Sequence, residues 1–206
     1  MDKRSLYVIT ISRQLGCGGA YLGQQLARNL NIFYADREII TQVAKQFSVL
    51  EEDLESIDEK KNSFWDSFLH SYGLGFSDPY KPPQIILPPD LILYNAEKEI
   101  IKHIAKERSA VIIGRCGSYI LREHPNHISI FLHGDKPHRI NRVQKLYHVS
   151  EREAEKMIVK SDKERSQYFH SFTGEDWTDS RQYDISINTS KIDPDKSVEL
   201  IMKFLE

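Results

Sequence analysis

Short, nearly continuous apolar runs alternate along the chain with stretches whose apolar residues recur at helical spacing. The runs at residues 6–11, 110–114 and 127–132 are rich in β-branched residues, and residues 31–34 and 183–188 are shorter or weaker runs. Strands covered on both faces have this near-continuous apolar character. The alternation predicts an α/β fold with three layers, in which a five-stranded parallel sheet carries helices on both faces.

Several of the predicted helices carry a start signal. Asp36 is placed to cap the helix after the second strand, and Asp193 followed by Pro194 is typical of an N-cap with proline at the first helical position. Capping-box spacing at residues 48–51 and 150–153 predicts two further helix starts. A longer helix is expected over residues 89–106, with Ile100 and Ile104 directed inward.

One stretch departs from this pattern. Residues 64–80 contain six aromatic side chains, and five of the eight prolines fall between residues 79 and 89. This composition predicts an insertion between the second and third strands. Clustered aromatic residues often mark interfaces, so the insertion either covers a ligand or forms a homodimer contact.

Charge and cysteine content exclude several classes of protein. The 206 residues include 28 Lys and Arg against 30 Asp and Glu, which gives a formal charge of −2. This balance argues against nucleic-acid and membrane-surface proteins, although it allows a local basic site. The two cysteines are too few for a disulfide framework or a zinc cluster, and no apolar run near the N-terminus is long enough for a signal or a membrane span. A single cytoplasmic domain over residues 1–206 is expected.

A glycine-rich loop follows the first strand. Residues 12–20 read SRQLGCGGA and lead into a helix, so they place several backbone N–H groups beside the positive end of a helix dipole. The phosphate-loop pattern GxxxxGK[ST] is incomplete, because Gly19 stands at its lysine and Ala20 at its hydroxyl. The dinucleotide pattern GxGxxG also fails at Tyr21. The loop is therefore either an anion cradle or a tight strand-to-helix turn.

A second candidate site lies after the third strand, where residues 111–117 read VIIGRCG. Arg115 is thus delivered to the carboxyl end of a buried strand, where ligands of open α/β sheets bind. An arginine in such a place needs an anionic partner.

Together these motifs resemble the cytidylate kinase-like family of P-loop nucleoside monophosphate kinases. The matching segments are ITISRQLGCGG (9–19), FYADR (33–37), IIGRCG (112–117), IFL (130–132), HRINR (138–142), SDKERSQY (161–168), DW (176–177) and YDISINTS (183–190). Their order and spacing carry the resemblance, which covers nearly the whole chain except residues 64–89. It implies a P-loop NTPase fold, with an acceptor-side helical insertion over residues 48–109 and a lid over residues 135–182.

The resemblance also implies a reaction, the transfer of a phosphoryl group from ATP to CMP or a similar small acceptor. Mg²⁺ would be held by the phosphates and water more than by the protein, and no protein metal ligand is expected. The catalytic set implied is Arg13, Arg115, Arg142 and Arg165. The set implied for ATP is Gly16, Cys17, Gly18, Gly19, Ala20, Tyr21 and Arg139. The set implied for the acceptor is Asp36, Arg37 and Arg115.

Each assignment competes with a structural interpretation. Arg139 and Arg142 also fit a solvated helix face, and Arg165 also fits a surface pair with Asp162, three residues earlier. Asp36 is a helix cap before it is a ligand contact.

Arg13 lies inside the glycine loop, and we hypothesise that it supplies the positive charge of the absent lysine. Cys17 and Cys116 follow glycines at the ends of neighbouring strands; their size and type favour simple packing, with a shared pocket as the alternative. Three functions stay open at this point: a nucleoside monophosphate kinase, a non-catalytic nucleotide-binding or regulatory protein, and a kinase for a non-nucleotide acceptor.

Overall fold

Five parallel strands form the centre of the computed structural model, which describes residues 5–52 and 91–206. The strands are β1 (Val8–Arg13), β2 (Phe33–Ala35), β3 (Ala110–Ile113), β4 (His127–His133) and β5 (Ile185–Asn188). The helices are α1 (Gly19–Leu30), α2 (Arg37–Glu52), α3 (Leu91–Glu107), α4 (Gly117–Ile120), α5 (Lys136–Tyr147), α6 (Glu151–Thr173) and α7 (Pro194–Phe204). The predicted α/β class and five-stranded parallel sheet are confirmed.

The strand order is β2-β3-β1-β4-β5, which places β1 in the middle. Val8 pairs with Ala110 of β3 on one side and with His127 of β4 on the other. All pairs are parallel, so the carboxyl ends of these three strands meet at one edge of the sheet. The loops after β1 and β3 are therefore neighbours.

Alternate residues of the strands supply two separate apolar layers. On one face Ile9, Ile130 and Leu132 pack with residues of α1 and α7. On the other face Ile112 packs with α2 and α3, and Phe131 packs with an aromatic group that includes Phe169 of α6. Burial on both faces explains why the strands have continuous apolar runs.

Most of the predicted helix starts are confirmed. The Asp36 carboxylate accepts the amides of Glu38 and Ile39 at 3.0 and 3.1 Å. Ser150 and Glu153 form a reciprocal capping box at the start of α6, and Asp193 accepts the Lys196 amide at 2.9 Å.

The start predicted at residues 48–51 is wrong, because α2 continues without interruption from Arg37 to Glu52. A capping box needs a non-helical backbone at its first residue, and a helix that is already formed does not provide one. The helix predicted over residues 89–106 is α3, Leu91–Glu107. The aromatic insertion predicted at residues 64–89 lies outside the described residues.

Within the described ranges no helix is long and apolar enough to cross a membrane.

Candidate active site

The glycine loop presents unbonded backbone amides at the start of α1. Gly16 and Gly18 have φ angles of 89° and 78°, in the left-handed region that glycine adopts without strain. Gly18 is the N-cap of α1 and has no side-chain cap. The amides of Gly16, Gly18, Gly19 and Ala20 donate to no other described residue. Four such donors beside a helix N-terminus suit a phosphate group.

Side chains from α5 and α6 fix the backbone that precedes these glycines. The Leu15 amide donates to Asp162 Oδ1 at 3.0 Å, and Arg139 Nη1 donates to the Leu15 carbonyl at 3.3 Å. Arg139 and Asp162 are themselves paired at 2.5 Å. The Leu15 side chain packs against Val143 and Ile158. The loop is thus held by a buried ion pair and an apolar anchor.

Arg165 adds a third tie to the same backbone. Its Nη1 donates to the Arg13 carbonyl at 3.2 Å and lies 3.7 Å from Asp162 Oδ1. The pair with Asp162 considered from the sequence is therefore present. It is not a surface pair, since 14% of the Arg165 side chain and 19% of the Asp162 side chain are exposed.

The interpretation of Arg139 as part of a solvated helix face is wrong, because Arg139 is 7% exposed. The loop also lies directly against it. A Cβ atom on Gly16 would lie 2.8 Å from the Arg139 carbonyl oxygen, so only glycine fits there. Arg139 thus contacts the loop through both its backbone and its guanidinium.

Arg13 runs across the carboxyl edge of the sheet. A Cβ atom on Gly19 would lie 2.7 Å from Arg13 Cγ, and one on Gly114 would clash with Arg13 Nη1. The aliphatic part of the side chain therefore lies against Gly19, the first residue of α1, and its guanidinium lies against Gly114, the residue that follows β3. This position brings a positive charge to the carboxyl edge of the sheet, between the loops after β1 and β3.

Arg142 lies against the other side of the glycines. Its Nη2 would be 3.0 Å from a Cβ atom on Gly18, and Pro194 Cγ would be 3.4 Å from the same point. Among the described residues its buried Nε has no hydrogen-bond partner. A buried donor without a partner is costly, and the guanidinium is placed so that its Nη2 adds positive charge beside the glycines.

The Tyr21 hydroxyl donates to Asp195 of α7 at 2.6 Å. Asp36 is occupied as the cap of α2, and Arg37 is the first residue of that helix. The sequence predicts all three at the site; in the structure the Tyr21 side chain bonds to a distant helix, and the Asp36 side chain caps its own helix.

The loop after β3 holds Arg115 in an unusual backbone. Gly114, Arg115 and Cys116 have consecutive φ angles of 77°, 52° and 55°. Non-glycine residues in this region store roughly 1 kcal/mol or more of strain each, and such strain concentrates at functional sites. The turn aims the Arg115 side chain into the space between α2, α3 and α6.

Arg115 meets an internal carboxylate there. Its Nε lies 3.2 Å from Glu97 Oε1, and its Nη2 donates to Thr41 Oγ1 at 2.7 Å. Thr41 and Tyr168 both donate to Glu97, at 3.0 and 2.5 Å, and the Arg115 Cζ lies 4.9 Å from the Tyr168 ring centre. The anionic partner expected for Arg115 is therefore present inside the protein.

Sequence reasoning did not identify Glu97 or Thr41. The available signal was an acidic residue on the apolar face of α3, because Glu97 shares the spacing of Ile101 and Ile104. A charge at such a position has to be paired. Its partner lies on another element, which periodicity does not reveal.

The two cysteines do not share a pocket. Cys17 packs with the α1 and α7 face of the sheet, and Cys116 packs with the aromatic group on the opposite face. Burial raises the pKa of Cys17 to about 11 and that of Cys116 to about 12. Both are buried packing residues, as the favoured interpretation predicts, and they lie in different core clusters rather than in one shared pocket.

Within residues 5–52 and 91–206, no group of three His, Cys, Asp or Glu side chains could hold a metal ion. His127, which starts β4, bonds Thr10 Oγ1 at 2.7 Å instead, and burial lowers its pKa to about 4.

Comparison with known proteins identifies the family. The model of the cytidylate kinase-like family matches residues 8–191. The chain belongs to the cytidylate kinase-like family. Curated cytidylate kinases match over a shorter stretch of 109 residues, or 53% of this chain. That of Saccharolobus islandicus (strain L.S.2.15 / Lassen #1) is 30% identical with 57% of its length covered, and that of Sulfurisphaera tokodaii is 24% identical with 60% covered. The chain thus spans a little over half the length of these curated relatives.

Solved structures extend the similarity of this cytidylate kinase-like chain to nearly its full length. An uncharacterized protein from Eubacterium ventriosum ATCC 27560 has a TM-score of 0.71 and 28% identity, with 96% of this chain and 97% of that chain covered. The shikimate kinase from Bacteroides thetaiotaomicron has a TM-score of 0.52 and 13% identity, with 98% and 99% covered. The second likeness shows the fold alone.

Proposed function

We propose that this protein transfers a phosphoryl group from ATP to CMP or a similar small acceptor. The observation that carries the proposal is the cradle of free amides at Gly16, Gly18, Gly19 and Ala20, with arginines on both sides. Phosphoryl transfer depends mainly on positioning and on the neutralisation of negative charge, which amides and arginines supply.

Arg13 takes the part of the missing lysine in this proposal. The phosphate-loop lysine position is Gly19, and the Arg13 side chain passes directly over that residue. A guanidinium donates to phosphate oxygens in a bidentate manner, so its charge and geometry both suit the task. Arg142, with its unbonded Nε, closes the cradle from α5.

The free amides and arginines of the cradle suit the phosphates of ATP, whereas the protein offers few ligands to a magnesium ion. Ala20 stands at the position where the phosphate-loop pattern has a hydroxyl. Mg²⁺ retains several waters and binds substrate phosphates readily. In this proposal it is carried by the phosphates and water, and it neutralises charge on the transferred group.

Two observations favour the two alternative functions. The absent lysine and hydroxyl favour a nucleotide-binding or regulatory protein without catalysis. The pairing of Arg115 with Glu97 favours a kinase with another acceptor, because this arginine is not reserved for a nucleotide phosphate.

A coupled ADP-release assay across nucleoside monophosphates, run beside thermal-shift measurements with ATP, separates the three functions. Turnover with CMP supports the proposal. Stabilisation by ATP without turnover supports the binding protein, and turnover only with another small molecule supports the other acceptor. No response to any nucleotide would contradict all three.

The role of Arg13 is tested with Arg13→Ala and a matched control. Loss of charge-assisted bonds worth about 1.5–3 kcal/mol predicts that ATP binding weakens by roughly ten- to a hundredfold. Arg181→Ala is the control, because that side chain is 88% exposed and pairs with Asp179 at the surface. Isothermal titration with ATP measures both, and equal affinities for the two variants would refute the role of Arg13.

A further inference from the structure

Glu97 is the centre of a buried polar cluster on the acceptor side. Its side chain is 1% exposed, and its two oxygens receive contacts from Arg115, Thr41 and Tyr168. These partners come from the β3–α4 loop, α2 and α6. One carboxylate on α3 therefore joins every described element that surrounds Arg115.

The cluster commits one edge of the Arg115 guanidinium. Nη2 donates to Thr41, Nε lies 3.2 Å from Glu97 Oε1 as an ion pair without a hydrogen bond to a described residue, and the ring of Tyr168 covers one face of the group. Nη1 makes no hydrogen bond to a described residue. An acceptor that reaches Arg115 can therefore use the Nη1 side only, and the bidentate grip typical of arginine with phosphate is blocked along the other edge.

The pair is also electrically balanced. Both side chains are almost fully buried, at 7% and 1% exposure, so solvent screens neither charge well. An anionic acceptor beside Arg115 meets the attraction of the guanidinium and the repulsion of the carboxylate together. Like charges close to one another disfavour binding, so Glu97 reduces the affinity that Arg115 alone would give.

From this arrangement we propose that Glu97 positions Arg115 and sets how strongly the site attracts an anionic acceptor. Arg115 then serves to orient the acceptor through Nη1, and the main attraction for phosphate resides in the glycine loop with Arg13 and Arg142. The inference rests on the proposed function, since it concerns the acceptor of that same reaction.

Glu97→Gln tests the inference, because it removes the charge and keeps the shape. CMP binding, measured by isothermal titration, is expected to tighten by about tenfold, since an uncompensated guanidinium attracts an anion more strongly. ATP affinity should stay within about twofold, because the donor cradle is held by other residues. Glu99→Gln is the matched control on the same helix, where the exposed side chain pairs with Lys102 at 3.5 Å.

Steady-state kinetics give a readout that a merely structural role would not move. We expect KM for CMP to fall in Glu97→Gln without a rise in kcat. This result would mean that the variant binds the ground state and the transition state more tightly by the same amount. The double variant Glu97→Gln with Arg115→Gln should lose the tightening, because the effect acts through Arg115. If Glu97→Gln fails to fold, Glu97→Asp decides, since its shorter side chain moves the carboxylate away from Arg115 and should tighten CMP binding to a smaller degree.

Each result supports or overturns the inference. An unchanged CMP affinity in a folded Glu97→Gln or Glu97→Asp protein overturns it, as does a change that appears equally for ATP. Gain of CMP binding by the variant where the wild type shows none supports it. Failure of the proposed function looks different: with CMP present the wild-type protein would release no ADP, whatever residue stands at position 97.

Discussion

Two clusters of charged residues lie at the carboxyl edge of the sheet, and they hold different parts of the protein. In the loop cluster, Asp162, Arg139 and Arg165 bond to the backbone of residues 13–15. In the acceptor cluster, Glu97 and Thr41 bond to the side chain of Arg115. The loop cluster holds the backbone before the glycines, and the amides of the glycines stay free of hydrogen bonds to described residues. The acceptor cluster holds the Arg115 guanidinium in place and neutralises its charge.

A single helix reaches both clusters. Asp162, Arg165 and Tyr168 lie three residues apart on α6, so they share one side of that helix. Asp162 and Arg165 contact the loop cluster, and Tyr168 contacts Glu97. Helix α6, which lies in the region predicted as a lid, therefore contacts both clusters.

The largest effect is expected when either carboxylate is removed. Asp162→Ala and Glu97→Ala each leave a buried arginine unpaired, which costs roughly 3–5 kcal/mol of unfolding free energy. Urea denaturation measures this loss. The comparison predicts that the two variants differ in ATP binding, which should weaken at least about tenfold in Asp162→Ala because the Leu15 amide is released.

Glu97→Ala should retain ATP binding in the folded protein, measured by titration well below its unfolding midpoint. Asp162→Asn serves as the conservative control, because an amide oxygen can still accept from Leu15. Equal ATP affinities in the two alanine variants would show that the clusters are not separate in function.

Glycine substitutions test whether the close contact between Gly16 and Arg139 stabilises the loop. Gly16→Ala places a Cβ atom 2.8 Å from the Arg139 carbonyl oxygen and also forces alanine to a φ of 89°. We expect a loss of about 2–4 kcal/mol in unfolding free energy and a clear loss of ATP affinity.

Gly174→Ala is the matched control for that substitution. Gly174 has a φ of 72°, but no atom lies within 4 Å of its added Cβ. Its cost should be about 1 kcal/mol, from backbone strain alone, with ATP binding unchanged. Similar losses of unfolding free energy in both variants would mean that the close contact with Arg139 adds no cost to that of the backbone strain.

Tyr168→Phe tests the link between α6 and the acceptor cluster with a smaller change. The ring over Arg115 remains, and one hydrogen bond to the Glu97 carboxylate is lost, worth about 1.5–3 kcal/mol. Thermal unfolding should show the loss. Tyr119→Phe is the control, since that ring packs against Phe169 in the same aromatic group, and a stability equal to that of the control would contradict the link.

The smallest expected effect is the chemical labelling of the two thiols, Cys17 in the glycine loop and Cys116 next to Arg115. With pKa values of about 11 and about 12, Cys17 and Cys116 are almost entirely protonated at pH 8. Because the thiolate is the reactive form, at most about one thiol in a thousand reacts readily, and native labelling by iodoacetamide should be negligible. Rapid labelling that ATP slows would show instead that Cys17 is accessible at a working site.

The fold follows from local patterns, and much of it was predictable. Apolar runs marked all five strands, because strands buried on both faces cannot alternate with polar residues. Asp36, Ser150 and Asp193 marked helix starts through bonds within three residues of themselves. The start predicted at residue 48 failed because the same spacing also occurs inside a helix that continues.

The candidate site was predictable only in part. Arg13, Arg115 and the glycines lie next to recognisable strand ends, so their position at the carboxyl edge followed from the sheet. Asp162 and Glu97 act on residues 147 positions and 18 positions away along the chain, respectively. Such pairs depend on how helices pack across the sheet, which local spacing does not encode.

The sequence by itself determined the strands, most caps, the glycine loop and the resemblance to one kinase family, because each depends on neighbouring residues or on motif order. Only the tertiary structure decided which charges meet. It paired Arg115 with Glu97, tied Arg139 and Arg165 to the loop backbone, and laid Arg13 over Gly19. Buried charges take the partners that packing brings within reach, and those partners come from distant parts of the chain.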